Sequence, residues 1–140
     1  MRHAQEHYQA SPSTPRSARR FVGRLLDRWG RNDVRPEADL LTSEVVADAV
    51  RQSPSHVTLL VEENDGVVRI EVSDVPGLIT NPSAGAFERR TSRRLVRALS
   101  RRWGSEADSD RTTTWVELPD NRSTRLGAFT SAGRPRSSRS

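Results

Sequence analysis

Glu44 and Asp48 are residues whose types and spacing could do chemistry. They lie four residues apart in Leu40–Val50, a segment with the apolar content of a largely buried helix. Residues at this spacing share one side of a helix, where two like charges repel each other. Beside an apolar strip the pair favours a cation between them, and a metal-bound phosphate is one candidate. The alternative is a solvated acidic edge in which Arg51 pairs with Asp48.

The neighbouring elements determine where this helix can present its acids. The polar N-terminus allows a short edge strand over Glu6–Ala10. The run Ser13-Thr14-Pro15 then predicts a helix start, with a hydroxyl cap followed by proline, and Gly30 predicts the end of that helix. Pro36 opens the second helix, which carries the two acids and ends near Ser53-Pro54.

A β-hairpin follows the second helix. Two β-rich runs, Val57–Val61 and Val67–Val72, flank the turn sequence Asn64-Asp65-Gly66, which is a strong hairpin signal. Apolar and charged residues alternate in the second run, so one face should be buried. The strand ends at Ser73-Asp74, and residues 75–90 have the composition of a long irregular loop, either a functional lid or a disordered segment.

The remaining core elements are a third helix and a last strand. The helix is predicted over Thr91–Trp103, with Gly104 closing it, and the strand over Thr112–Pro119. The helix carries a stripe of arginines that is either a solvated face or, at its N-terminal end, a phosphate contact: Arg93, Arg97 and Arg101. Together the elements predict an α+β fold, a two-layer sandwich in which helices cover one face of a mostly antiparallel mixed sheet.

Composition limits the classes of function. Cys is absent and the three His are scattered, so disulfides are excluded and a zinc site is not expected. All 23 basic residues are Arg, and the five in residues 121–140 account for the net charge of +5; the other 18 balance all 18 acids. The folded part is therefore formally neutral. Only the Ser/Arg-rich tail, 120–140, which we expect to be disordered, suggests weak, salt-dependent contact with nucleic acid.

Five segments together resemble a known family, and the resemblance covers about residues 6–119. The chain is similar to the small ATP-binding anti-sigma-factor serine/threonine kinases of the GHKL superfamily, which also contains gyrase, histidine kinases and mismatch-repair ATPases. No single segment is decisive, but their order and spacing are specific. The segments are Ala18–Val22, Ser43–Val50, Val72–Pro76, Leu95–Gly104 and Trp115–Pro119.

The resemblance implies roles for three acids and two cofactors, ATP and Mg²⁺. The residue corresponding to Glu44 is the general base that orients the attacking hydroxyl or water. The position of Asp48 holds the Mg²⁺ ligand, which is Asn in the family. Asp74 corresponds to the carboxylate that accepts a hydrogen bond from the adenine amino group. It also implies a domain over residues 13–119, preceded by the polar residues 1–12.

The phosphate-binding lid departs from the family pattern. A glycine-rich stretch normally precedes the third helix, and its backbone amides cradle phosphates. The matching places hold Arg90-Thr91-Ser92-Arg93, and no glycine lies between Gly85 and Gly104. Two interpretations follow: guanidinium groups replace the cradle, or the lid is degenerate. The candidate phosphate ligands are Arg90, Ser92, Arg93 and Arg94.

Three functions are consistent with these features. The leading expectation is a cytoplasmic kinase that transfers the γ-phosphoryl of ATP to a serine of an anti-anti-sigma (STAS-type) partner and so regulates a sigma factor. The second is a catalytically inactive relative that sequesters a regulatory protein. The third is a nucleic-acid-binding protein acting through the tail. No membrane-spanning segment is expected, and a homodimer is left open.

Overall fold

A computed structural model describes residues 1–52, 55–74, 91–107 and 111–120. It contains five strands, three α-helices and one short 3₁₀ helix. In chain order they are β1 (Arg2–Gln9), α1 (Thr14–Arg28), the 3₁₀ helix (Asn32–Val34), α2 (Arg35–Gln52), β2 (His56–Asn64), β3 (Val67–Asp74), α3 (Thr91–Leu99), β4 (Arg102–Ala107) and β5 (Thr112–Glu117).

The strands form one sheet in the order β1-β2-β3-β5-β4, and every pairing between them is antiparallel. The α+β class is therefore confirmed, although the sheet has no parallel pair in the described residues. The predicted hairpin is β2–β3. Asp65 and Gly66 both have positive φ, at 52° and 84°, as a tight two-residue hairpin turn requires.

The core lies between one face of the sheet and the helices. Along β2 and β3 every second side chain is buried, which follows from the two-residue period of a strand. On the helical side, α1 buries the four apolar residues Ala18, Val22, Leu25 and Leu26. Among the described helices, none is both long and apolar enough to cross a bilayer.

The start of α1 differs in detail from the expected hydroxyl cap. Ser13 occupies the cap position, but its side chain makes no capping hydrogen bond. The hydroxyl of the next residue, Thr14, makes the local hydrogen bonds instead. Its Oγ1 donates to the carbonyl of Gln9 at 3.0 Å and accepts a hydrogen bond from the backbone N–H of Ser11 at 3.0 Å. The hydroxyl therefore joins the start of α1 to the end of β1, an edge strand that begins earlier than Glu6.

The predicted extent of the third helix is wrong. α3 ends at Leu99, and Trp103 and Gly104 lie in β4, which pairs with β5. A Cβ atom on Gly104 would approach the ring of Trp115 to 2.7 Å. Gly104 is thus needed for the close approach of a cross-strand indole, and it does not terminate the helix.

Arg31 closes the turn between α1 and α2 from inside the protein. Its side chain is only 2% exposed and lies 2.9 Å from Asp33, 2.7 Å from Glu63 and 2.8 Å from the carbonyl of Gly66. Glu63 also accepts hydrogen bonds from Arg2. Burial alone raises the pKa of Glu63, but the hydrogen bonds from Arg31 and Arg2 outweigh it and hold that pKa below its ordinary value.

We expect Arg31→Met to lower the free energy of unfolding by about 3–5 kcal/mol, because the carboxylates of Asp33 and Glu63 would lose their buried partner. Urea denaturation measures the change. Arg28→Met, on the exposed side of α1, is the matched control and should change stability by no more than about 0.5 kcal/mol. Equal effects of the two substitutions would contradict a stabilising role for the buried network.

Candidate functional site

The candidate site lies at one end of the sheet, where β2 and β5 begin and β3 ends. We call this end of the sheet the Asp74 edge. Asp74, the last residue of β3, is paired with Val57 on one side and Thr112 on the other. The last turn of α2 arrives at the same edge, because only residues 53–55 separate Gln52 from the first residue of β2. The topology therefore brings Asp48 and Asp74, two of the predicted site residues, to one end of the molecule.

Asp74 is the buried acid of this edge. It is 6% exposed because the alternation of β3 directs it to the core side, together with Val72. Burial raises the pKa of Asp74, and hydrogen bonds from the backbone N–H groups of Thr112 and of Asp74 itself oppose the rise without cancelling it. The result is a poorly hydrated hydrogen-bond acceptor at the end of a rigid strand.

Asp48 is also buried, with 4% exposure, so the expectation of a solvated acidic edge is not met at this residue. The expected contact with Arg51 is nevertheless present, at 3.4 Å. Gln52 donates from its side-chain amide to the other carboxylate oxygen at 3.2 Å. Both partners come from the last turn of α2, and a metal ion would have to compete with them for the carboxylate.

Glu44 lies one helical turn before Asp48 and is half-buried. The residue just before it, Ser43, fixes this part of α2. Its hydroxyl accepts a hydrogen bond from Arg19 of α1 at 2.8 Å and donates to the carbonyl of Asp39 at 2.9 Å. Sequence reasoning did not single out Ser43 or the role of Arg19, because a contact between residues on different helices leaves no local signal.

The lid residues are only partly described. Arg90 and the predicted loop, residues 75–90, lie outside the described residues, and of Ser92 and Arg93 only the backbone, in the first turn of α3, is described. Arg94 is exposed on α3. The proposed phosphate ligands therefore remain predictions. In the described ranges, His, Asp and Glu side chains form no group of three that could hold a metal ion.

A depression of about 380 Å³ lies elsewhere, on the sheet face away from the helices and near the hairpin turn. Four of its charged side chains pair with one another: Arg69, Glu71, Arg102 and Glu117. Arg69 lies 3.2 Å from Glu71 and 4.2 Å from the centre of the Trp115 ring, while Arg102 lies 3.8 Å from Glu117. We therefore place the candidate chemistry at the Asp74 edge, where buried carboxylates come from separate elements.

Comparison with known proteins gives no family for this chain. No model of a protein family matches it, and no curated protein matches it.

The raised pKa of Asp74 predicts a pH-dependent stability. The folded state holds the proton of Asp74 more tightly than the unfolded chain does. The contribution of this proton to the free energy of unfolding is therefore complete below about pH 4, the ordinary aspartate pKa. It is lost as the pH rises through the raised folded value. Asp74→Asn keeps an acceptor oxygen but cannot ionise. The Asp74→Asn variant should unfold at a higher urea concentration than wild type at pH 7. This difference in urea midpoint should shrink as the pH falls towards 4.

Urea denaturation of both proteins at several pH values measures this difference. A lower free energy of unfolding for Asp74→Asn at pH 7 would contradict the prediction. It would mean that the ionised carboxylate stabilises this end of the sheet through the hydrogen bond that it accepts from the backbone N–H of Thr112.

Proposed function

We propose that this protein is an ATP-binding regulatory kinase of the anti-sigma-factor type, with a GHKL-like domain. The observation that carries the proposal is the arrival of two carboxylates, each more than nine-tenths buried, at one edge of the sheet from α2 and β3: Asp48 and Asp74. Buried carboxylates are costly, and groups with perturbed pKa values concentrate at functional sites. The resemblance of the sequence gives these acids their roles.

Each acid would act on a different part of ATP. Asp74 would accept a hydrogen bond from the adenine amino group, which a fixed, poorly hydrated acceptor can recognise selectively. Asp48 would give Mg²⁺ one oxygen ligand after releasing Gln52, and the phosphates and water would supply the others. Mg²⁺ would offset charge on the phosphates.

Glu44 would orient the nucleophile and take its proton. The hydroxyl oxygen of a partner serine would form a bond to the γ-phosphorus as the bond to the β-phosphate oxygen breaks, and ADP would leave. The contact between Arg19 and Ser43 supports this role, because it fixes α2 against α1 beside Glu44. The partner would be an anti-anti-sigma protein of the STAS type, and the regulated protein a sigma factor.

Asp74→Asn should weaken ATP binding at least about tenfold, the equivalent of about 1.5 kcal/mol for a hydrogen bond to a charged group. Calorimetric titration with ATP, with and without Mg²⁺, measures the affinity. The matched control is Asp65→Asn, the same chemical change at the hairpin turn at the other end of β3. Unchanged affinity in Asp74→Asn, with wild type binding, would remove Asp74 from the site.

The two interpretations of the lid predict opposite changes in ATP affinity for the same double substitution. If the side chains of Arg90 and Ser92 obstruct a backbone cradle, the double substitution Arg90→Gly, Ser92→Gly should tighten ATP binding. If Arg90 instead contacts phosphate, the same change should weaken it. We expect tighter binding, because a glycine loop brings several amides close at once, whereas one arginine is ordered at a cost of up to about 2 kcal/mol.

A second candidate is a relative without catalysis that acts by sequestering a regulatory protein. Two observations favour it: the carboxylate of Asp48 already contacts Arg51 and Gln52, and glycine is missing from the lid places. Failure of both the wild type and the lid double mutant to bind ATP at millimolar concentration would select this candidate and overturn the kinase proposal.

A further inference from the structure

One side of α1 carries a continuous row of positive charge. Arg16, Arg20, Arg24 and Arg28 follow one another at intervals of four residues, and all four are exposed. This spacing places them along a single ridge of the helix. We call this row the α1 arginine ridge. The nearby acid Asp27 accepts a hydrogen bond from the side chain of Asn32 at 3.1 Å.

The α1 arginine ridge is locally unfavourable for the free protein. Like charges four residues apart destabilise a helix, and the ridge contains three such pairs in succession. Among the residues that the structure describes, none of its four guanidiniums makes an ion pair with a carboxylate. By contrast, Arg19 donates a hydrogen bond to Ser43, and Arg31 pairs with the buried acid Glu63. Residues 1–120 are neutral in sum, but their charge is unevenly distributed.

The chemistry of the surface favours a nucleic-acid partner over a protein. Protein interfaces depend on apolar and aromatic anchors. In the described part of the chain, the exposed large apolar residues are Met1 and Leu40, and neither belongs to α1. Interfaces with DNA are polar and strongly positive. The ridge is about 18 Å long at 1.5 Å per residue, a length over which one strand of duplex DNA presents about five phosphates.

We propose that the α1 arginine ridge binds the phosphate backbone of duplex DNA without reading its sequence. Each arginine would neutralise one phosphate and release its counterions, so the affinity would fall steeply with salt. The proposal does not depend on ATP binding.

The test compares two full-length double variants that lose the same charge. Arg20→Gln, Arg24→Gln removes the centre of the ridge, and Arg97→Gln, Arg101→Gln removes two exposed arginines near and on α3. Fluorescence anisotropy with a labelled duplex of about 20 base pairs gives the affinity between about 50 and 200 mM salt. The ridge variant should bind at least about tenfold more weakly, with a salt slope smaller by about two.

The control variant should bind DNA like wild type, and Arg20→Lys, Arg24→Lys should retain most of the affinity because it keeps the charge. Arg and Gln have similar helix propensities, so circular dichroism should show the ridge variant folded. If both glutamine variants bound DNA equally more weakly than wild type, the proposal would be overturned, because DNA would then respond to the net charge of the protein and not to the ridge.

Two further outcomes would also overturn it. The first is loss of DNA binding only when the five arginines of residues 121–140 are changed to glutamine, which would assign the contact to that segment. The second is ridge-dependent binding to polyglutamate with none to DNA, which would identify an acidic protein surface as the partner.

Discussion

The connection between the helical layer and the sheet depends on one buried guanidinium, that of Arg31. Arg31 follows α1 after Trp29 and Gly30. Its contacts reach four segments: Asp33 before α2, Glu63 in β2, the carbonyl of Gly66 in the hairpin turn and, at 3.7 Å, Asp120 after β5. An unpaired buried cation would be prohibitively costly. The network therefore fixes the order of these segments at one end of the sheet, and each partner must be in place for the others to be satisfied.

The helical layer is fixed at a second place, nearer the candidate site. Gly23 allows the guanidinium of Arg35 to lie against α1, since a Cβ there would be 2.5 Å from it. Further along the same helix pair, Arg19 holds Ser43. With α2 constrained along its length, its last turn is presented at the opposite end of the sheet from the Arg31 network. A site at that edge would thus rest on elements that are anchored elsewhere.

Local signals in the sequence were sufficient for part of the fold. Asp65-Gly66 predicted the hairpin because positive φ at both places is a property of the turn itself, and Gly30, with φ of 69°, ends α1 as expected. β4 was missed because its pairing with β5 and the fit of Trp115 over Gly104 are non-local. Glu44 and Asp48 could be chosen by type and spacing, and Asp74 by the family resemblance. The burial and partners of these acids depend on how the elements pack.

The pairing of β1 with β2 has a consequence for the order of assembly. The two strands align over eight residues, although residues 10–55, with both long helices, separate them in the chain. Closing so long a loop costs more entropy than closing the two-residue turn of β2–β3, and contacts between distant residues form slowly. The helix pair and the hairpin can assemble from near neighbours, whereas β1 needs the finished edge of β2. We therefore expect β1 to reach its native position after the hairpin that follows it in the chain.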